Sequence, residues 1–181
     1  MDHFENIAKT LLERDGYWVR QSFKINLSPQ QKRKISPKKA SIPRPEVDLL
    51  ALNISKKEVV AFEVKSFFDS TGIVLKNFTA KHDVPEGKYK LFTCRPYKKI
   101  VFEQLRSDLK KLGLIQQDWK IRLGLIAGNG RKSEIQAIKD LFEKNAWVFW
   151  SPQDVKSRVQ KFADEGYEND PAVITTKILN R

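Results

Sequence analysis

Two carboxylates and a lysine in one short stretch are the residues whose types and spacing could do chemistry. Asp48 closes the run Pro45-Glu46-Val47-Asp48, and Glu63-Val64-Lys65 follows it. An acid and a lysine two residues apart say little alone, because the chain holds five such pairs: Glu63/Lys65, Glu86/Lys88, Asp108/Lys110, Asp118/Lys120 and Asp154/Lys156. Context separates them. Glu86 lies in a stretch broken by proline and glycine. Asp108 and Asp154 fall in helical patterns, where residues two apart point to different faces. Asp118 precedes a strand-like run but has no acid on a neighbouring arm. Only Glu63 and Lys65 share a strand face and also oppose another acid.

That opposition is a matter of register. Pro45 to Leu52 and Glu58 to Phe67 read as strands joined by a polar turn around Ser55-Lys56-Lys57. A two-residue loop at 55–56 or a four-residue loop at 54–57 sets Asp48 directly across from Glu63, with Cα atoms roughly 4.5–5.5 Å apart. The same register sets Glu46 across from Lys65. It also places Val47, Leu49 and Ala51 against Val60, Phe62 and Val64 on the other face, which is apolar enough to form a core. A loop with an odd count would turn Glu63 to the wrong face. The apolar pattern and the acid pattern therefore demand one register. Like charges opposed across a sheet destabilise it, and a divalent cation relieves that cost. Mg²⁺ takes oxygen ligands, usually one or two carboxylates completed by waters and phosphate oxygens. It acidifies water and stabilises developing phosphoryl charge, while a neighbouring lysine can orient the water or hold the phosphate.

Pro45-Glu46-Val47-Asp48 with Glu63-Val64-Lys65 resembles the PD-(D/E)xK nuclease superfamily, which includes type II restriction endonucleases, junction resolvases and repair nucleases. The resemblance implies an αβββαβ core over residues 4 to about 150, of the restriction-endonuclease kind. It implies Asp48 and Glu63 as ligands of Mg²⁺ (or Mn²⁺), Lys65 as the catalytic lysine, and Glu5 as a further acid on the first helix. The chain departs from the pattern in two ways. Glu46 and Val47 stand between the proline and the aspartate, and Ser66-Phe67-Phe68 follows Lys65 where some resolvases carry a glutamine. The activity implied is a Mg²⁺-dependent, restriction-type endonuclease that hydrolyses double-stranded DNA with metal-activated water and works as a homodimer. A junction-resolving or repair nuclease on the same site, and a non-catalytic nucleic-acid-binding module, are the alternatives.

The elements that must position these residues follow from periodicity. Phe4, Ile7, Ala8, Leu11 and Leu12 make a helical stripe over 4–15, stopped at Gly16. Tyr17 to Ile25 alternates as a strand. Residues 28–43 carry prolines and a run of positive charge, and read as a basic loop. Its Lys32, Arg33, Lys34, Lys38 and Lys39, with Arg44 just beyond, are the expected phosphate contacts. Residues 68–87 read as an irregular insertion, and 68–95 as the place where bases or DNA shape would be read. Tyr89 to Cys94 suggests a strand and 98–112 a helix. Ile121 to Ala127 is a buried-strand run. A helix is expected at 132–144 after the Gly128-Asn129-Gly130 turn, then a strand at 147–150. Ser151-Pro152 marks a further helix start, and Val173 to Leu179 suggests a last strand. The sum is an α/β fold with a mixed central sheet flanked by helices, in one domain over 1–181.

Bulk properties agree. Of 181 residues, 34 are Lys or Arg and 22 are Asp or Glu, a net charge of +12 that favours a polyanionic partner. Hydrophobic residues at 40% exclude a disordered chain. No apolar run is long enough to span a bilayer and no secretory leader is visible, so a cytoplasmic setting without a membrane partner is expected. The lone Cys94 excludes an internal disulfide and a cysteine zinc cluster.

Overall fold

The computed structural model describes residues 2–36, 43–166 and 168–180. Helix α1 (His3–Arg14) starts where the Asp2 carboxylate accepts the Phe4 N–H, and ends at Gly16, whose φ of +82° suits a residue without Cβ. Strand β1 (Trp18–Lys24) follows, then helix α2 (Pro29–Ile35), then the hairpin β2 (Glu46–Asn53) and β3 (Glu58–Lys65). The one-turn helices α3 (Lys76–Thr79) and α4 (Lys90–Thr93) lead into the long α5 (Arg95–Lys111). Strand β4 (Lys120–Ala127), helix α6 (Ile135–Lys144), strand β5 (Val148–Trp150), and helices α7 (Pro152–Gln160) and α8 (Pro171–Leu179) complete the order.

The five strands form one mixed sheet in the order β1-β2-β3-β4-β5. β1, β2 and β3 run as an antiparallel meander, whereas β4 lies parallel to β3 and β5 parallel to β4. A parallel neighbour requires a crossover, and α5 and α6 provide the two. Both sheet faces are apolar. On one, Leu50, Leu52, Val59, Ala61, Leu123 and Leu125 pack with Val101, Leu105 and Leu109 of α5 and Phe142 of α6. On the other, Leu49, Ala51, Val60, Phe62, Val64 and Ile126 pack with Ala8, Leu11 and Leu12 of α1 and Val155 of α7. Gly124 lies beside Phe62 in the β3/β4 register, and a Cβ there would stand 2.4 Å from the phenyl ring. The glycine is what allows Phe62 to lie across β4.

Three expected elements differ. The stretch 28–36 is not a loop: Ser28 and Gln31 form a reciprocal capping box, Pro29 occupies the first turn, and α2 results. Tyr89 to Cys94 holds the one-turn helix α4 instead of a strand. Val173 to Leu179 belongs to α8, because Asp170 accepts the N–H groups of Ala172 and Val173 and so nucleates a helix against β-branched composition. None of the described helices is long and apolar enough to cross a membrane.

Candidate active site

The hairpin keeps the expected register from Asn53↔Glu58 to Leu49↔Phe62, across a four-residue turn. In that turn the Asn53 side chain accepts from the Ser55 hydroxyl and the Lys56 N–H. The ladder stops one pair short of Asp48 and Glu63. There a side chain replaces the backbone acceptor: Asp48 Oδ2 accepts the Val64 N–H at 2.8 Å. β1 also skips one pair at this point. Gln21↔Leu49 and Phe23↔Val47 are paired, but Ser22 between them has φ +50° and makes no ladder pair. Asp48 thus sits just past the end of the β2/β3 ladder and at a one-pair gap in the β1/β2 ladder, and Val47, expected to share a face with Leu49 and Ala51, is buried instead in the α5-side core.

The three central residues converge. Lys65 Nζ donates to Asp48 Oδ2 at 2.9 Å and stands 3.2 Å from Glu63 Oε2. All three side chains are largely withdrawn from solvent, Glu63 most of all at 14% exposure. Burial pushes the Glu63 carboxyl up, and the Asp48 charge adds to that against the opposing pull of Lys65. Burial pulls the Lys65 ammonium down, but the two carboxylates outweigh it and the net direction is upward. The lysine is therefore a firmly charged cation holding two acids at one point.

Glu5 reaches the same region from α1. Phe4 is buried and its ring meets Phe68 edge-on at 5.4 Å, pinning the helix start over the chain that leaves β3. The Glu5 carboxyl is pushed up, first by burial and next by the Asp48 charge. It makes no ion pair with Lys65 among the described residues. Glu46 behaves otherwise than its register suggests. It pairs at 3.9 Å with Lys24 in an exposed contact, because it stands directly across from Lys24 in the β1/β2 register and the β2/β3 ladder ends before it could face Lys65.

Asp48 and Glu63 line a cleft of about 410 Å³ whose other walls carry Arg44, Glu46, Lys88, Lys90 and Tyr97. Lys88 and Lys90 were not foreseen, although they flank Tyr89 in an alternation of basic and aromatic residues that could have drawn notice. Each lies over a ring, Lys88 5.7 Å from Phe67 and Lys90 5.3 Å from Tyr97. The Tyr97 hydroxyl is pushed up to about 12 by burial, with the Glu63 and Cys94 charges adding. Tyr89 also rises to about 12, first by burial. Both phenols stay protonated at neutral pH and can donate. Arg44 lines the cleft as expected; Lys32, Arg33 and Lys34 lie on α2 and do not line it. Lys38 and Lys39 fall outside the described residues.

The loop after β3 is held with some strain. Phe67 has φ +52°, costly for a bulky residue. Asn129 secures it, its amide donating to the carbonyls of Phe67 and Ser70 while its own oxygen accepts the Gly130 N–H. The Gly128-Asn129-Gly130 turn is thus a structural clasp. The rival acid-lysine pairs are also accounted for. Buried Asp108 accepts from Asn26 N–H and Gln104, Asp118 pairs with Lys57, Asp154 caps α7, and Glu86 is exposed.

The donor set suits a hard divalent cation in part. Two carboxylates converge from adjacent strands, and waters and phosphate oxygens ordinarily complete such a site. Among the described residues no three His, Cys, Asp or Glu side chains gather to hold a metal unaided. A cation at Asp48 and Glu63 would also compete with the Lys65 ammonium, so occupancy requires that side chain to swing aside. Compared with family models, with curated proteins and with solved structures, the chain matches none.

Proposed function

We propose that this protein is a Mg²⁺-dependent endonuclease that hydrolyses phosphodiester bonds of double-stranded DNA. The observation that carries the reading is the convergence of Asp48, Glu63 and Lys65, with the two acids lining a cleft that also carries Arg44, Lys88 and Lys90. Paired acids with a shared lysine can serve as a structural ion-pair cluster elsewhere. Here Asp48 and Glu63 lie just past the end of the β2/β3 ladder, beside Arg44, Lys88 and Lys90, which make no salt bridge among the described residues, and that favours chemistry on a phosphate.

Asp48 and Glu63 would hold the metal, which when bound supplies Lewis-acid stabilisation of phosphoryl charge and acidifies water. Lys65, released from the acids, would point its ammonium at the attacked phosphate or at the incoming water. Arg44, Lys88 and Lys90 would clamp flanking phosphate oxygens and balance charge that grows toward the transition state. Glu5, near enough to feel the Asp48 and Lys65 charges, would accept a proton or extend the acid cluster. Since each chain carries one such cleft among its described residues, cutting both strands would take a homodimer or two successive events, and the homodimer is the reading proposed.

The test is cleavage of plasmid and branched DNA in Mg²⁺ or in chelator, beside Lys65→Ala. Metal-dependent cutting by the protein and none by the variant is expected. Cutting that survives the substitution would displace the site, and failure to cut any DNA would displace the activity.

A further inference from the structure

A second concavity of about 430 Å³ opens beside the first, between β1 and the end of α5. Its walls carry Arg20, Lys24, Arg44 and Lys111, with Asp108 as the one acid. That acid is spent: Asn26 N–H holds one oxygen at 2.9 Å and Gln104 the other at 2.7 Å. The cations are far less committed. Among the described residues Arg44 reaches only the Asn26 side chain, at 3.3 Å, and Arg20 lies 5.4 Å from the Phe23 ring. Lys111 makes no ion pair among the described residues. Lys24 has only its exposed 3.9 Å contact with Glu46, a pairing of little strength. A convex cluster of this kind would be an ordinary solvated surface. This one is concave, and Arg44 lines both it and the cleft of Asp48 and Glu63. Ser22, the left-handed residue that departs from β2 beside Asp48, lines it too. Strain in a non-glycine backbone gathers at binding sites more than elsewhere.

We propose that Arg20, Lys24, Arg44 and Lys111 form a second subsite for backbone phosphates of nucleic acid. The strand runs over Arg44 from this subsite into the catalytic cleft. This rests on the nuclease reading for its direction, but binding can be measured without cutting. Phosphate contacts of this kind set position and affinity without choosing sequence, so the subsite explains how a basic chain aligns a duplex before any base is read.

The experiment is fluorescence anisotropy of a labelled duplex in chelator over a salt series. The double variant Arg20→Gln/Lys111→Gln should bind about tenfold or more weakly at moderate salt. Its log–log salt slope should shrink by about 2, since each lost phosphate contact removes about 0.9. Arg20→Lys/Lys111→Arg should restore the slope. Should the double variant lose its fold by circular dichroism, Lys111→Gln alone, at an exposed helix end, should reduce the slope by about 1. Unchanged affinity and slope, with normal cutting by the parent protein, overturns the subsite and spares the nuclease. A reduced slope in a protein that cuts no DNA supports the subsite and overturns the nuclease. No duplex binding at all, or binding of phosphatidylserine vesicles in its place through these side chains, overturns both.

Discussion

At the scale of single residues, the decisive feature is that Lys65 neutralises Asp48 and Glu63 together. Removing it strands two acids in a partly buried place. Lys65→Met is expected to cost about 2–3 kcal/mol in chelator, toward the low side for a broken buried pair because the group is about one-fifth exposed. Mg²⁺ should then stabilise the variant more than the parent, since the competing ammonium is gone. Thermal melts with and without Mg²⁺ would show it, and equal or smaller stabilisation of the variant would remove the metal from the acid pair. Glu63 carries its own signature. Its folded pKa lies above the ordinary 4.5, so the native state keeps a proton that the unfolded chain has released. Stability from this group is greatest below that value and falls as pH rises through the raised one. The protein should therefore lose stability relative to Glu63→Gln between pH 4 and pH 7 in the absence of metal. Urea titrations at the two pH values read this directly, and a difference independent of pH would contradict it.

At the scale of elements, the site depends on the clasp that holds the exit of β3. Asn129→Ala removes two donors to the carbonyls of Phe67 and Ser70 and should cost about 1–3 kcal/mol. It should also slow cutting more than it weakens DNA binding, because the loop it frees begins one residue beyond Lys65. Equal stability of the variant by urea unfolding would show the clasp to be idle. The hairpin that bears the site could be read from the sequence because two independent patterns, alternating apolar residues and opposed acids, required the same register. Other elements gave no such double constraint. Val173 to Leu179 is rich in β-branched residues, yet a cap at Asp170 and burial of Val173 and Thr176 three apart make it helical. The box at Ser28 and Gln31 was hidden by the basic run around it. Lys88 and Lys90 reach the cleft from beside and within the one-turn α4, and Tyr97 from the first turn of α5, through packing between residues distant in sequence. No local pattern encodes that meeting. Glu46 does not partner Lys65 because the hairpin register lapses before it reaches them, and β1 sets Lys24 across from Glu46 instead.

At the scale of the whole molecule, two helical layers bury both faces of one sheet and leave the acid-lysine cleft at its margin. Asp48 and Glu63 line one cleft and Lys65 bridges them, so under the proposed nuclease reading the number of chains acting together decides what product forms. Under the homodimer proposal, two clefts face opposite strands and supercoiled plasmid passes to linear form with little nicked circle on the way. Adding an excess of Lys65→Ala protein to a fixed amount of the parent then fills most dimers with one working and one silent cleft. Those mixed dimers cut one strand only, so nicked circle should accumulate in place of linear product. The variant keeps Arg44, Lys88 and Lys90, which lets it compete for the same DNA, and a control excess of the parent protein separates competition from exchange of subunits. If linear product falls in step with total cutting and nicked circle does not build up, the strands are cut by independent chains and the dimer is wrong, while the site itself stands.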